Sequence, residues 1–261
     1  VAMNAAVKRL STVDSEDTFG PGFLCFPPAG ATVLSLRGFA KGAAGIEMWG
    51  VEYPGHGERL AEPRAASFAS LAEGIARETI DRFGAERFSR ITLIGFSMGA
   101  FAAFEVAQRI RGRGLPGPAA LVVVGACAPQ SRVPGRFAKA DATDAGRLLD
   151  QNALAPVAGY GASPELREYA LDLLLGDLLL TDSYAGPAQL RLACPIVAIR
   201  GEDDPVFAAD GDTLRAWGAW TSGRFTDAVV PGGHLGMLAP DRAPDLRELI
   251  HRSTFDAEPV R

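Results

Sequence analysis

The chain has 261 residues, 48% of hydrophobic type, enough for one large α/β domain with a full core. Its formal net charge of −5 implies no basic surface, so a nucleic-acid partner is not expected. The three cysteines, Cys25, Cys127 and Cys194, lie far apart in apolar contexts. They read as reduced core residues of a cytoplasmic protein and not as disulfides, zinc ligands or nucleophiles.

In chain order, residues 1–20 read as an arm with a short strand around Val7 to Leu10 and no apolar run of the secretory kind. Phe23-Leu24-Cys25-Phe26 is a buried strand that must turn at Pro27-Pro28-Ala29-Gly30, because two prolines cannot continue a central strand. A helix is expected over 32–44, then a second strand from Ile46 to Tyr53 ending in Pro54-Gly55-His56-Gly57-Glu58-Arg59. Phe68, Leu71, Ile75, Ile80 and Phe83 recur at helical spacing and predict a helix over 67–84. Ile91 to Phe96 is the next strand, followed after Ser97 by a helix to about Arg113. The almost continuous apolar run Ala119 to Gly125 suits a parallel strand covered on both faces. Pro195–Arg200 and Phe225–Val230 are later strands. This alternation predicts a mostly parallel sheet with helices on both faces.

Between Cys127 and Pro195 no strand is evident. The pattern through Phe137, Leu148, Leu149, Leu154, Val157, Tyr160 and Leu166 to Tyr184 is helical and apolar. It reads as a helical lid inserted over about 134–186 into a single domain, 1–261, whose residues would line a substrate pocket; ordinary sheet-covering helices are the alternative. The most apolar stretch, Leu171 to Leu180, is far short of the ~20 residues that span a bilayer, so no membrane partner is expected.

The chemistry starts at Gly95-Phe96-Ser97-Met98-Gly99, where a β-branched strand stops on a serine and restarts as a helix. That is the nucleophile-elbow pattern, with Ser97 at a helix N-terminus where free N–H groups favour developing negative charge. A serine hydroxyl needs a base to take its proton. Of three histidines, His234 in Pro231-Gly232-Gly233-His234 follows the last strand on a glycine loop and is the candidate base. His251 reads as a helix-face residue. His56 sits in a tight turn, with a supporting role left open. The carboxylate that orients the base is sought in Gly201-Glu202-Asp203-Asp204-Pro205, which gives the chain order Ser, Asp, His. Asp204, before a stiffening proline, is favoured over Asp203 and Glu202. Two backbone N–H donors are needed for a tetrahedral oxyanion. One is Met98. The other falls in Pro27-Pro28-Ala29-Gly30, where prolines have no N–H, so Ala29 is the first available donor and Gly30 the fallback.

Phe26-Pro27-Pro28-Ala29-Gly30, Tyr53-Pro54-Gly55-His56-Gly57-Glu58-Arg59, Gly95-Phe96-Ser97-Met98-Gly99-Ala100, Gly201-Glu202-Asp203-Asp204-Pro205 and Pro231-Gly232-Gly233-His234 together resemble the type II thioesterases. These are discrete α/β-hydrolases that work beside polyketide synthases and nonribosomal peptide synthetases. The resemblance covers about residues 22–250. Asp177 and Tyr184 also fall where that family tends to have an acidic residue and a tyrosine. Pro28 departs from it, standing where a histidine is common, and Gly30 is followed by Ala31 where the family often doubles the glycine. The resemblance implies an α/β-hydrolase fold and hydrolysis of acyl thioesters on the phosphopantetheine arm of acyl or peptidyl carrier proteins. It implies an acyl-Ser97 intermediate, an editing or release role, and no cofactor or metal in the chain itself. A monomer is expected. The competing readings are a carboxylesterase or lipase-like hydrolase using the same three residues, acyl transfer in place of hydrolysis, and a noncatalytic carrier-docking protein on the same scaffold.

Overall fold

The computed structural model describes residues 6–10, 22–43, 45–151, 163–186, 191–207 and 212–254. Seven strands form one sheet: β1 (Val7–Arg9), β2 (Gly22–Phe26), β3 (Glu47–Val51), β4 (Ile91–Phe96), β5 (Ala120–Val124), β6 (Ile196–Gly201) and β7 (Phe225–Val230). Their order is β1-β3-β2-β4-β5-β6-β7. β1 runs antiparallel to β3 and all other pairs are parallel. This is the mostly parallel sheet that the strand–helix alternation predicts. β2, β4 and β5 are buried at every position. Their Val, Ile, Leu and Phe runs have no polar alternation because neither face meets water. β7 is the edge and alternates half-buried with exposed residues.

The helices are α1 (Arg37–Ala40), α2 (Phe68–Phe88), α3 (Met98–Gly112), α4 (Ala142–Gln151), α5 (Pro164–Asp182), α6 (Asp212–Arg215) and α7 (Ala243–Thr254). Ser67 starts α2 by accepting from Ser70 N at 3.1 Å, with the reciprocal bond also made. Ser163 accepts from Leu166 N, and Pro164 occupies the first turn of α5, where a missing N–H costs nothing. The helix expected over 32–44 is shorter: a 3-10 turn, Val33–Leu36, leads into the four residues of α1. Gly38 weakens this run from inside α1, since glycine costs roughly 1 kcal/mol relative to alanine in a helix, and Gly42 ends it with φ of +81°.

Between β5 and β6 the described residues hold α4 and α5 and no strand. Leu154, Val157 and Tyr160 lie outside the described residues, as does most of the arm expected over 1–20. Among the described residues no helix is long and apolar enough to cross a membrane.

Because β2 to β7 are parallel, their C-terminal ends share one edge of the sheet. The loops after β2, β3, β4, β6 and β7 therefore meet there, outside the carboxyl ends of the strands, where open α/β sheets form their sites.

Candidate active site

β4 ends at Phe96 and α3 begins at Met98, so Ser97 alone makes the turn. Its φ of 52° and ψ of −116° make it the only non-glycine residue with positive φ among the described residues. Such a backbone costs of order 1–3 kcal/mol and persists only where its surroundings hold it. Ser97 N donates to Val124 O on β5 at 2.8 Å, and Ala100 N donates back to Ser97 O at 2.9 Å. The flanking glycines answer two different close approaches. A Cβ on Gly95 would run into the Gly99 and Ala100 backbone, where strand meets helix. A Cβ on Gly99 would run into the carbonyls of Phe26 and Pro27, so α3 also presses against the loop after β2.

The loops after β6 and β7 bring Asp204 and His234 to this serine. His234 Nε2 lies 2.9 Å from Ser97 Oγ, and His234 Nδ1 lies 2.9 Å from Asp204 Oδ2. A carboxylate only accepts, so Nδ1 carries the proton and Nε2 is left to accept from the hydroxyl. The Asp204 side chain is fully buried and its other oxygen accepts from Val206 N at 2.9 Å. Asp203 and Glu202 are exposed, and Asp203 joins the loops through its backbone, donating to Gly232 O. His251 lies on α7, away from this cluster.

The loop after β2 passes beside Ser97, and Ala29 lines the same cavity. Gly30 N donates to Asp177 Oδ2 at 2.8 Å, so the fallback donor is already committed elsewhere. Neither Ala29 N nor Met98 N donates to a protein group among the described residues. Met98 follows Ser97 directly in the chain, and Ala29 lines the cavity above it.

The cavity above Ser97 measures about 160 Å³. Its walls are apolar: Phe101 from α3, Cys127 after β5, Phe137, Leu148 from α4, and Leu174 and Leu178 from α5. The segment between β5 and β6 thus lines the space next to the serine. Arg132 and Arg136 stand at the same cavity. Arg132 is bound to the carbonyls of Thr181 and Tyr184. Cys127 is half-buried, unlike the buried Cys25 and Cys194, because it leaves the sheet at the cavity wall. Burial pushes its thiol pKa up, against the lowering effect of Arg132, and the Cys194 thiol is pushed up to about 12. None of the three cysteines is held as a thiolate, which agrees with their reading as bystanders. Among the described residues no cluster of His, Cys, Asp or Glu could hold a metal ion.

A second polar cluster lies behind the first. His56 and Asp177 are 1% and 3% exposed, and His56 Nε2 sits 3.0 Å from Asp177 Oδ2. Burial disfavours the imidazolium, but the Asp177 charge, its hydrogen bond, the Pro54 carbonyl and Glu52 outweigh it, so the His56 pKa is raised. Tyr53 donates to Pro27 O at 2.9 Å, and buried Glu52 accepts from Val33 N at 3.0 Å. Further along, Tyr184 donates to Glu105 of α3 at 3.0 Å, tying the end of α5 to the helix behind Ser97. The Tyr-Pro-Gly-His turn is visible in the sequence, but its contact with α5 has no local signal.

With this geometry in view, the chain matches the family described as Thioesterase domain over residues 22–254. It is 32% identical over 213 residues to the probable cadicidin biosynthesis thioesterase of Streptomyces griseus, a match covering 81% of this chain and 56% of that protein. The chain therefore spans little more than half the length of that relative. It is 30% identical over 219 residues to Thioesterase PikA5 of Streptomyces venezuelae, covering 81% of this chain and 73% of that one. Among solved structures, the RedJ thioesterase from the prodiginine pathway of Streptomyces coelicolor superposes with a TM-score of 0.78 at 28% identity, over 94% of this chain and 95% of that one. The type II thioesterase BorB from the borrelidin cluster superposes with a TM-score of 0.78 at 26% identity, over 96% and 99%.

Proposed function

The chain belongs to the thioesterase family of α/β-hydrolases, and from that premise we propose that it is a serine thioesterase of the type II kind, cleaving acyl groups from the phosphopantetheine arm of carrier proteins in polyketide or nonribosomal peptide assembly. The single observation that carries the chemistry is the hydrogen-bonded chain Asp204–His234–Ser97 opening onto an apolar cavity. The names of its relatives support the setting, since they belong to the cadicidin, prodiginine and borrelidin pathways.

In this reading Ser97 Oγ attacks the thioester carbonyl while His234 Nε2 takes its proton. The negative charge that develops on the carbonyl oxygen is met by the N–H groups of Met98 and Ala29. Asp204 holds the imidazole in the tautomer that can accept, and stabilises the imidazolium. Collapse breaks the C–S bond, and His234 returns the proton to the departing pantetheine thiol. The acyl group is then an ester on Ser97. His234 next takes a proton from water as it attacks that ester, a second oxyanion forms, and collapse breaks the acyl–Oγ bond as His234 returns that proton to Ser97 Oγ, freeing the carboxylic acid. The scheme needs no metal or cofactor in this chain. An acyl group would lie along Phe101, Phe137, Leu174 and Leu178, away from water.

Ser97→Ala tests it. The variant is expected to lose at least about 10³-fold in kcat on an acyl-carrier thioester, with its melting temperature unchanged. A serine-directed fluorophosphonate is expected to label the wild type and not the variant. Retained turnover by Ser97→Ala overturns the mechanism. Faster cleavage of a matched oxygen ester than of the carrier thioester overturns the substrate class.

A further inference from the structure

The loop that carries Ala29 is held at three points by residues from outside it. Tyr53 binds its start at Pro27 O, and Glu52 binds its end at Val33 N. Its middle is held by Asp177, nineteen-residue α5's buried carboxylate, through the Gly30 N–H at 2.8 Å. The same oxygen, Oδ2, faces His56 Nε2 at 3.0 Å, and His56 Nδ1 lies 3.1 Å from Pro54 O. Both ring nitrogens thus face acceptors. An imidazolium satisfies both, and a neutral ring can satisfy only one. The cluster is therefore a buried carboxylate–imidazolium pair with a backbone N–H bound to its anionic member. A charge-assisted bond of this kind is roughly twice as strong as a neutral one.

What that bond orients is the peptide between Ala29 and Gly30. Gly30 has φ of +73°, and a Cβ there would meet Leu174 of α5 at 2.7 Å, so the loop lies directly against the helix. With the Gly30 N–H bound to Asp177, the Ala29 N–H on the preceding peptide has no protein acceptor among the described residues, and Ala29 lines the cavity above Ser97. Asp177 itself does not reach the cavity above Ser97. It lines a separate cleft with Tyr53, His56 and Leu180, behind the loop.

We propose that Asp177, held by His56, is a positioning residue: it fixes the Ala29–Gly30 peptide, and through the Ala29 backbone the preceding Pro28–Ala29 peptide, so that the Ala29 N–H meets the oxyanion in both acylation and deacylation. The proposal rests on the serine-hydrolase reading of Ser97. Its mark is a loss in kcat with little change in KM, because the interaction it supports forms only as charge develops on the carbonyl oxygen. Removal of one whole oxyanion donor costs about 10²–10³ in rate, and a misplaced donor is expected to cost part of that.

The test compares wild type, Asp177→Ala and Asp177→Asn on an acyl-pantetheine thioester and on the 4-nitrophenyl ester of the same acyl group, with circular dichroism and melting temperature on each protein. Asp177→Ala is expected to lose about 10- to 100-fold in kcat on both substrates, with KM within about threefold. It should also bind a trifluoromethyl ketone, which forms a tetrahedral adduct on Ser97, more weakly by a similar factor. Asp177→Asn keeps an oxygen that accepts from Gly30 but loses the charge, so a smaller loss of several-fold is expected. If Asp177→Ala fails to fold, Asp177→Asn decides. A folded variant with wild-type kcat, or a loss confined to KM, overturns the proposal. A wild type that cleaves the oxygen ester and not the thioester overturns the thioesterase reading alone, and the Asp177 comparison is then judged on the ester.

Discussion

Asp203 and Asp204 are neighbours in sequence with opposite environments. The Asp204 side chain is fully buried and bound to His234, whereas Asp203 is exposed and contributes its backbone. An exposed carboxylate near a histidine is worth little, since water screens it. A buried one that fixes the tautomer is worth several powers of ten in rate. Asp204→Asn is therefore expected to lower kcat by about 10⁴-fold with a small change in KM, because an amide can present its N–H to Nδ1 and stabilise the wrong tautomer. Asp203→Asn should leave kcat unchanged. Steady-state kinetics on both variants check this, and equal losses would remove Asp204 from its role. Ala29 and Gly30 divide in a similar way: the Gly30 N–H is bound by Asp177, and the Ala29 N–H has no protein acceptor among the described residues.

At the scale of elements, the turn after β3 and helix α5 are joined by the His56–Asp177 pair, 121 positions apart. Breaking a buried pair by removing one partner typically costs about 3–5 kcal/mol, since it leaves an uncompensated charge. The exposed pairs Arg167–Asp150 and Lys8–Glu58 are screened by water and contribute little by comparison. The His56 pKa is raised in the fold, against the desolvation that opposes it, by Asp177, the Pro54 carbonyl and Glu52. Its contribution to stability is therefore complete below the unfolded value of about 6.5 and is lost as pH rises from there through the folded value. Urea midpoints of wild type and His56→Gln, measured from pH 6 upward, should differ most at the acid end and converge as pH rises. A constant difference across that range would mean that His56 is neutral in the fold.

The whole molecule carries a net charge of −5, yet two arginines line its cavity, Arg132 with its side chain largely buried and Arg136 exposed. Arg132 is engaged by the carbonyls of Thr181 and Tyr184. Arg136 is exposed, lies over the Phe137 ring at 5.4 Å, and pairs with no carboxylate among the described residues. A substrate delivered on a phosphorylated arm of a carrier protein would bring negative charge past this point. Rim charges act mainly on encounter and are screened by salt. Arg136→Glu is accordingly expected to raise KM for a carrier-bound thioester about three- to tenfold, with kcat unchanged, and with less effect on an acyl-pantetheine that lacks the phosphate. Kinetics at low and high salt check it: the difference should shrink as salt rises, and a salt-independent effect would contradict it.

Much of this arrangement was legible in the residues alone, because it follows from local physics. Apolar runs bounded by Gly and Pro mark the parallel strands, the spacing of Phe68, Leu71, Ile75 and Phe83 marks α2, and the order Ser97, Asp204, His234 follows from which loop comes after which strand. Local patterns favoured Asp204 over Asp203 and Ala29 over Gly30 on proline placement alone, whereas both choices depend on what lies across the sheet edge. They also left His56 in a tight turn with a supporting role open, and Asp177 was marked only by the family resemblance. Only the tertiary structure brought these two together and set them against the Gly30 N–H. A period of two or 3.6 tells which face of an element is buried. The partner of a buried charge is decided by how distant elements pack, and no spacing along the chain encodes it.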